Sequence, residues 1–290
     1  MHVFLYGQSL SDAHVPHVKK LITCLQAEGI QISSYSPYRK VLSEKFDVPD
    51  SIEGLSSPES AEVDITITLG GDGTILKAVT LIGRLQIPIL GINLGRLGFL
   101  ASIENKYIQQ AIAQIARGMY TIESRTMLYL ETDQRIFGEM RFALNDFTLH
   151  KRDTSSMITI HTYINGDFLT SYWADGLIIA TPTGSTGYSL SCGGPIVFPN
   201  SGNFVITPVA PHNLNVRPIV ISDSAVISFE IEGRSTKFLC SLDSRYETVT
   251  ANDQLAVRKC DFKTKLILLD NFSFLKTIHE KLTWGKDVRN

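Results

Sequence analysis

The sequence predicts two domains of different fold class, an α/β domain with a parallel sheet followed by a mainly β, sandwich-like domain. Up to about residue 120, apolar runs of strand length alternate with runs of helix length, which is typical of a parallel sheet covered by helices. Beyond that point short β-rich runs dominate, separated by Gly, Asn, Asp and Pro. We therefore expect an α/β domain at 1–120, a β-rich domain at 121–267, and a tail at 268–290 that packs back on the first domain.

Each expected element follows from a local pattern. In the first domain the strand-like runs are 2–7, 30–35, 63–69 and 87–92, and the helical runs are 12–28, 75–81 and 106–117. Gly29 and Gly118 end two of these helices. In the second domain the expected strands are 126–132, 140–149, 157–164, 177–181, 204–207, 225–231, 236–240 and 254–258. A final helix places Leu275, Ile278 and Leu282 on one face.

Composition excludes several classes of function. The chain has 290 residues, 43% apolar and 19% charged, with a formal net charge of −2. This balance gives no reason to expect nucleic acid or an acidic membrane surface as a partner. No apolar run approaches the ~20 residues of a membrane span, and the first seven residues read as a strand rather than a signal peptide. The cysteines at 24, 192, 240 and 260 form no CxxC pair, so we expect reduced thiols and a cytoplasmic location.

The most informative segment is Gly70–Thr74, which reads Gly-Gly-Asp-Gly-Thr between a predicted strand and a predicted helix. Glycines leave backbone N–H groups uncovered and Thr74 is a good N-cap, so the helix start presents amides and a positive dipole end to an anion. A loop built only to hold phosphate would not place Asp72 at its tip, because like charges repel. A loop that also manages a proton or a metal ion would. The segment therefore indicates phosphoryl transfer.

Two other phosphate-binding motifs are excluded by inspection. The chain contains no Walker string of Gly, four residues and Gly-Lys-Ser/Thr. The dinucleotide fingerprint requires a third glycine at position 76, where this chain has Leu76. An ordinary strand-to-helix turn remains an open alternative for the loop.

A second polar cluster is Thr181–Ser189, which follows the apolar run 176–180. Its hydroxyls and free N–H groups carry no net charge and suit the ribose and amide edges of a nucleotide. Asp175 precedes this strand, and Tyr188 has a ring that can stack on a base or order a sugar hydroxyl. A polar β-turn is the alternative interpretation, because turns favour the same residues.

Two further segments place polar residues in apolar surroundings. Asn145 and Asp146 form a polar pair within a predicted strand, and a buried carboxylate needs partners. A ligand site and a turn or bulge explain this pair about equally well. The segment from Asn93 to Phe99 follows a predicted parallel strand, at the end where open α/β sheets bind ligands. Arg96 either reaches a phosphate there or lies on the surface.

Taken together, these segments resemble the NAD kinase family along most of the chain. The family's hallmarks are a GGDGT loop, an Asn-Glu/Asp pair and a TPTGSTAY-like segment, which stand here as Gly70–Thr74, Asn145-Asp146 and Thr181–Tyr188. Further matching segments are Gly91–Gly95, Leu97–Leu100, Asp175–Ile178, Arg217–Val220 and Lys281–Gly285. The GGDGT loop alone is shared with lipid kinases and phosphofructokinases, whereas the ordered set is specific to the family.

The resemblance implies transfer of the ATP γ-phosphoryl group to the 2′-hydroxyl of the adenosine ribose in NAD, which gives NADP. Asp72 would be the base or the charge-organising group near that hydroxyl, and phosphates would be cradled by Gly71, Gly73 and Thr74. Since the chain has no Walker lysine, Mg²⁺ is expected to carry much of the phosphate charge, through ligands that the sequence does not identify.

The resemblance also implies which residues bind NAD. They would be Phe99 over the adenine, Asn145 and Asp146 on the adenosine part, Thr183, Thr186 and Tyr188 around base and ribose, Asp175 at the nicotinamide half, and Ala210 against its ring. Family members are homo-oligomers, usually tetramers or dimers, with the NAD site completed by a neighbouring subunit. We therefore expect a tetramer or dimer, with a role for Asp175 across the interface.

Three positions depart from the family pattern. Gly187 replaces the usual alanine of the third motif, which removes no hydrogen-bonding group. Asp243-Ser244 stands where many members carry Asp-Gly, which leaves the role of Asp243 open. Trp173 adds a bulky ring two residues before Asp175, where it could alter tolerance for the nicotinamide end, including NAD against NADH.

Other functions explain fewer of these segments. A kinase for a lipid or sugar phosphate on the same loop leaves Thr181–Tyr188 unexplained. A non-catalytic nucleotide sensor would be expected to lack the carboxylate of Asp72. A dinucleotide-dependent dehydrogenase lacks its third glycine, and the seven histidines form no HExxH or comparable zinc spacing.

Overall fold

Residues 1–95, 98–101, 103–152, 156–270 and 273–282 are described by the structure, a computed structural model. In chain order, the strands of these residues are β1 (His2–Gly7), β2 (Gln31–Tyr35), β3 (Glu53–Leu55), β4 (Ile65–Leu69), β5 (Ile89–Asn93), β6 (Ile103–Glu104), β7 (Tyr120–Arg125), β8 (Leu128–Thr132), β9 (Phe142–Ala143), β10 (Asp146–Lys151), β11 (Ile158–Ile164), β12 (Asp167–Ala174), β13 (Gly176–Ala180), β14 (Asn203–Val209), β15 (Ile219–Ser222), β16 (Ile227–Glu232), β17 (Phe238–Leu242), β18 (Arg245–Val249), β19 (Leu255–Lys259) and β20 (Thr264–Leu269). Their helices are α1 (Val15–Ala27), α2 (Ser36–Ser43), α3 (Asp72–Ile82), α4 (Ile108–Ala116), α5 (Tyr188–Ser191) and α6 (Phe274–Leu282).

The chain divides into two units. Unit 1 comprises Met1–Ser124 with Thr264–Asn290, and unit 2 comprises Arg125–Lys263. Of the predicted features, Arg96, Leu97 and Thr283–Gly285 lie outside the described residues.

Unit 1 is built on a mostly parallel sheet with the strand order β3-β2-β1-β4-β5-β20-β7, and β6 pairs with β5. Strand β1 pairs in parallel with both β2 and β4, so the direction of strand addition reverses between β1 and β4. Open α/β sheets bind ligands at such a switch point, beyond the carboxyl ends of the strands. Gly7 and Leu69 are register partners there, and Gly70–Thr74 follows directly. The topology therefore delivers the glycine loop to the ligand-binding edge of the sheet.

Both faces of the parallel sheet are covered. Val3 and Leu5 of β1 belong to a core shared with α1 and α4, whereas Phe4 packs with Ala78 of α3 on the other face. Burial on both faces removes the alternation expected of a half-exposed strand. This explains why Thr66, which the sequence pattern suggests is exposed, has no exposed area.

Unit 2 contains two antiparallel sheets, with the strand orders β15-β14-β13-β10-β17-β18 and β12-β11-β16-β19-β8-β9. Apolar side chains from both sheets form one core, in which the rings of Phe147 and Phe229 stack with centroids 5.5 Å apart. The opposite face of the first sheet is also buried, around Ile178 and Val205. The predicted sandwich-like fold is confirmed.

The segment after unit 2 returns to unit 1 as a strand before it becomes a helix. Strand β20 pairs in parallel with β5 through Leu266 and Ile89, and it lies between β5 and β7. Helix α6 buries Thr277 and Ile278, whereas Leu275 is 52% exposed and does not belong to the buried face. The predicted helical return is therefore present, although β20 is not expected from the sequence pattern.

The other elements that the sequence patterns do not predict are helices α2 and α5 and strands β3, β6, β7, β12, β15 and β18. All of these strands except β6 lie at the ends of their sheets, and β6 has only two residues. An edge strand has one free side and more exposed residues, so its apolar alternation is weak. Every helix in the described part of the chain is too short or too polar to cross a bilayer.

Candidate functional site

The glycine loop lies at the N-terminus of α3. Gly71 is the N-cap residue and Asp72 the first helical residue, so the amides of Asp72 and Gly73 have no acceptor within the helix. Thr74, predicted as the N-cap, is instead the third helical residue, and its N–H donates to the Gly71 carbonyl at 2.9 Å. A Cβ at Gly71 or Gly73 would meet no described atom within 4 Å. Within the described part of the chain these two donors are unpaired and have open space beside them, as an anion site requires.

Three consecutive backbone amides hold the carboxylate of Asp72. Its Oδ2 accepts from the Phe99 N–H at 2.8 Å. Its Oδ1 accepts from the N–H groups of Leu100 and Ala101, each at 3.0 Å. A carboxylate offers about four acceptor positions, and within the described residues Oδ2 uses one of its two. The structure thus joins two predicted residues, Asp72 and Phe99, through the backbone of the segment after β5.

Asp243 has the same arrangement in unit 2. Its carboxylate accepts from the N–H groups of Leu144, Asn145 and Asp146, at 3.0, 2.8 and 3.2 Å. Its own N–H donates to the Asp146 carbonyl at 3.0 Å, and its φ of 53° lies in the left-handed region that Asp tolerates. Asp243, whose role the sequence leaves open, therefore anchors the turn that presents Asn145 and Asp146.

Asp146 is buried and carries a perturbed carboxyl group. Burial and the neighbouring Asp243 carboxylate raise the pKa of Asp146 to about 7, against a hydrogen bond from Thr148. Burial also raises the pKa of Asp243, but three amide donors and the Arg245 guanidinium oppose that shift. Because those donors favour the charged form, Asp243 is the carboxylate of the pair and Asp146 is the group that takes the proton.

The hydroxyl-rich segment packs directly against this turn. The Thr181 N–H donates to the Asn145 carbonyl at 2.9 Å, and the Thr181 hydroxyl donates to the Leu144 carbonyl at 2.6 Å. Asn145 Oδ1 is buried and has no hydrogen-bond partner in the described part of the chain. A buried acceptor without a donor is costly, so this oxygen is suited to a ligand N–H or O–H group.

The hydroxyls of that segment bond to other protein groups, some inside the segment and others outside it. Ser185 donates to the Pro182 carbonyl at 2.6 Å, and Thr186 donates to the Thr183 carbonyl at 3.1 Å. Thr183 Oγ1 accepts from Arg125 at 3.3 Å. Contrary to the expectation of a free hydroxyl surface, these side chains brace the turn at the end of β13.

Two adjacent residues of β10 contact the predicted site residues Asp175 and Tyr188. Lys151 Nζ forms an ion pair with Asp175 Oδ1 at 2.6 Å, and His150 Nε2 lies 3.0 Å from the Tyr188 hydroxyl. Ala210 has a left-handed φ of 45° and directly follows the residue whose carbonyl accepts from the Asp175 N–H. His150 and Lys151 are not found by sequence reasoning, because their partners lie more than twenty residues away along the chain.

The predicted site residues therefore fall into two groups, one in each unit. The group in unit 1 is Gly71, Asp72, Gly73, Thr74 and Phe99. The group in unit 2 is Asn145, Asp146, Asp175, Thr183, Thr186, Tyr188 and Ala210.

Comparison with known proteins identifies the family of this chain. A model described as the ATP-NAD kinase N-terminal domain matches residues 11–120, and one described as the ATP-NAD kinase C-terminal domain matches residues 144–269. The chain belongs to the NAD kinase family. The NAD kinase of Cytophaga hutchinsonii is 48% identical over 293 residues, which cover 99% of each chain. That of Flavobacterium psychrophilum is 44% identical over 294 residues, which cover 100% of each chain.

Solved structures of NAD kinases and NADH kinases share the fold. Yeast NADH kinase complexed with NADH has a TM-score of 0.88 at 26% identity, with 99% of this chain and 89% of that chain covered. An NAD kinase from Archaeoglobus fulgidus in complex with ATP has a TM-score of 0.76 at 23% identity, with 98% and 99% covered, a likeness of fold alone. The predicted family, fold class and phosphotransferase activity are confirmed, and the chain is an enzyme that phosphorylates NAD to NADP.

The Gly98→Ala substitution tests whether the contact between Asp72 and the amides matters for NAD kinase activity. A Cβ at Gly98 would overlap Asp72 Oδ1, so the carboxylate has to leave the amides of Phe99 to Ala101. We expect NADP formation to slow by at least about tenfold, since small displacements of a catalytic group are costly. The measurement is steady-state turnover, with thermal unfolding as a check on the fold.

The matched control is Gly95→Ala in the same segment. Among the described atoms, its Cβ would meet only Asn93 Oδ1, at 3.9 Å. Equal turnover in the two variants would show that the anchored position of Asp72 is not required.

The raised pKa of Asp146 predicts a pH-dependent stability. A proton bound by the folded state up to about pH 7 contributes stability that is fully present below the unfolded pKa of 3.8 and is lost as the pH rises through about 7. The Asp146→Asn variant has no such proton to lose. We therefore expect its free energy of unfolding, relative to wild type, to rise by at least about 1 kcal/mol between pH 5 and pH 8.

Denaturant unfolding at each pH measures this difference, and Asp167→Asn at an exposed position of β12 controls for the loss of one charge. Parallel profiles for wild type and Asp146→Asn would contradict the assignment of the proton to Asp146.

Proposed function

We propose that the chain transfers the γ-phosphoryl group of ATP to the 2′-hydroxyl of the adenosine ribose of NAD, with Asp72 as the acceptor of the hydroxyl proton. The observation that carries this proposal is the carboxylate of Asp72, which three amides fix beside the glycine loop, with a single described donor on Oδ2. The groups proposed for phosphoryl transfer lie in unit 1, and the groups proposed to bind NAD lie in unit 2, except for Phe99 of unit 1.

The hydrogen bonds that hold Asp72 support its role as a general base. A ribose hydroxyl is a poor nucleophile until its proton is removed. In the proposed step, that proton moves to Asp72 Oδ2, the ribose oxygen bonds to the γ-phosphorus, and the bond to the β-phosphate breaks to release ADP. The amides on Asp72 prevent the carboxylate from turning, so its orientation is fixed before the substrate arrives. The free N–H groups of Asp72 and Gly73 at the start of α3 would hold the phosphate oxygens.

The donor set near the loop fits Mg²⁺ that is carried by the nucleotide. In kinases this cation is commonly bound by one or two carboxylates together with substrate phosphates. Across the described residues, no group of three or more His, Cys, Asp or Glu side chains is arranged to hold a metal ion. Asp72 is the carboxylate beside the loop, and amides occupy most of its acceptor positions. We propose that phosphate oxygens and water are the principal ligands, and that the bound cation neutralises phosphate charge.

Recognition of the adenosine part is proposed for the turn at Asn145 and Asp146. The unpartnered Asn145 Oδ1 accepts from an N–H or O–H group of the nucleotide. Thr183 and Thr186 lie in the neighbouring turn, and Tyr188 provides an exposed ring. A role in covering the adenine is proposed for Phe99. Asp175 and Ala210 are proposed to meet the nicotinamide half.

We also propose a cytoplasmic homo-oligomer, a tetramer or dimer in which a neighbouring subunit completes the NAD site. Exposed apolar side chains on unit 2 support self-association, notably Leu214 at 89% and Phe168 at 59% exposure. All four cysteines are free, which agrees with a reducing compartment. Sedimentation of the purified chain measures the oligomeric state.

The Asp72→Asn variant tests the proposed base. We expect it to bind NAD normally but to turn over at least ~100-fold more slowly, the usual contribution of a general base. NADP formed from NAD, ATP and Mg²⁺ is detected with an NADP-specific dehydrogenase, and NAD affinity is measured by calorimetry. Asparagine also sets an N–H group against a backbone N–H, so thermal unfolding is recorded for the same samples.

The control for charge is Asp12→Asn, which changes an exposed carboxylate of unit 1. Near-normal turnover of Asp72→Asn would remove Asp72 from the mechanism. No product from wild type with ATP or polyphosphate, and with NAD or NADH, would refute the proposed reaction.

A further inference from the structure

The predicted NAD-binding ring of Tyr188 has a partner that the proposed function does not use. His150 Nε2 lies 3.0 Å from the Tyr188 hydroxyl, and the two rings are nearly parallel, with centroids 6.3 Å apart and an interplanar angle of 11°. Tyr188 is 40% exposed and begins the four-residue helix α5. Its ring therefore has little packing of its own to hold one orientation.

The backbone around His150 is shaped to admit its ring. His150 lies on β10 opposite Gly176 of β13. A Cβ at Gly176 would overlap the Leu149 carbonyl and press on the His150 ring, so the glycine leaves the space that the imidazole occupies. The next residue, Lys151, forms the ion pair with Asp175. The end of β10 thus touches two of the predicted NAD-binding side chains.

We propose that His150 is a positioning residue that fixes the Tyr188 ring for NAD binding. This inference rests on the proposed function of Tyr188. Burial lowers the pKa of His150, which keeps its imidazole neutral and able to accept from the Tyr188 hydroxyl. With the phenolic oxygen held at one end and α5 at the other, the ring presents a fixed face to the dinucleotide. Because the ring is already fixed, less conformational entropy is lost when NAD binds.

The test is a double-mutant cycle of His150→Phe and Tyr188→Phe, read as the dissociation constant for NAD and as KM and kcat. His150→Phe keeps an aromatic ring and removes the hydrogen bond to Tyr188, together with a bond to the Lys151 backbone. We expect each single variant to weaken NAD binding about threefold to tenfold, with kcat nearly unchanged. The double variant should bind NAD as well as the single variant that has the lower affinity. His150→Gln, which restores a polar group near the position of Nε2, should recover most of the affinity.

The matched control is His161→Phe in the other sheet of unit 2. His161 Nδ1 also bonds to a hydroxyl, that of Ser171 at 2.7 Å, so the variant loses an equivalent bond away from Tyr188. Its NAD affinity should match that of wild type. Independent, multiplicative effects of the two phenylalanine substitutions, or an equal loss in His161→Phe, would overturn the inference while the kinase assignment stands.

A second measurement does not depend on NAD. In the crystal structure of the dinucleotide-free His150→Phe variant, the Tyr188 ring should leave its rotamer or occupy two conformers. A single, unmoved Tyr188 ring would overturn the positioning role even if wild type failed to bind NAD. Failure of wild type to form NADP, with the ring displaced in the variant, would instead count against the proposed reaction alone.

Discussion

A carboxylate that accepts three successive backbone N–H groups is the interaction on which the rest of the site depends. Asp72 binds the amides of residues 99–101, and Asp243 binds those of residues 144–146. Charge-assisted hydrogen bonds are roughly twice as strong as neutral ones, and three donors on one short side chain fix both partners. Each contact joins a turn to a backbone segment distant in sequence, so the loops around the site are held without regular secondary structure.

The second of these anchors also sets the electrostatics of unit 2. Placing the Asp243 carboxylate under the turn puts a negative charge next to Asp146, which is itself buried. Two neighbouring carboxyl groups do not both ionise readily in a dry environment, so the anchor that shapes the turn also retains a proton on it. The Asp243 side chain therefore determines both the conformation of the turn and the protonation of Asp146.

Much of this organisation was predictable from the sequence. The alternation of strand and helix before residue 120 predicts the parallel sheet, and Gly70–Thr74 predicts an anion site because strand, glycines and helix start suffice for one. The direction of side chains was harder to predict, since the hydroxyls of Thr181–Ser189 have the composition of a ligand surface but bond to protein groups inside and outside that segment. His150 and Asp243 act through partners far along the chain, and no local pattern encodes such contacts. Edge strands were not predicted, because exposure on one side weakens the alternation of apolar and polar residues in their sequence.

The position of β20 has a consequence for biosynthesis. This strand lies between β5 and β7 in the sheet, although unit 2 separates it from β7 in sequence. Chains emerge from the ribosome N-terminus first, and domains generally fold as units during synthesis. Unit 2 is contiguous and can close its own sheets once residue 263 has emerged. Translation of unit 1 begins first, but the place beside β5 stays unfilled until β20 has been synthesised. Unit 1 is therefore the second unit to be completed. During that interval the edge of β5 that will pair with β20 is open to aberrant strand pairing.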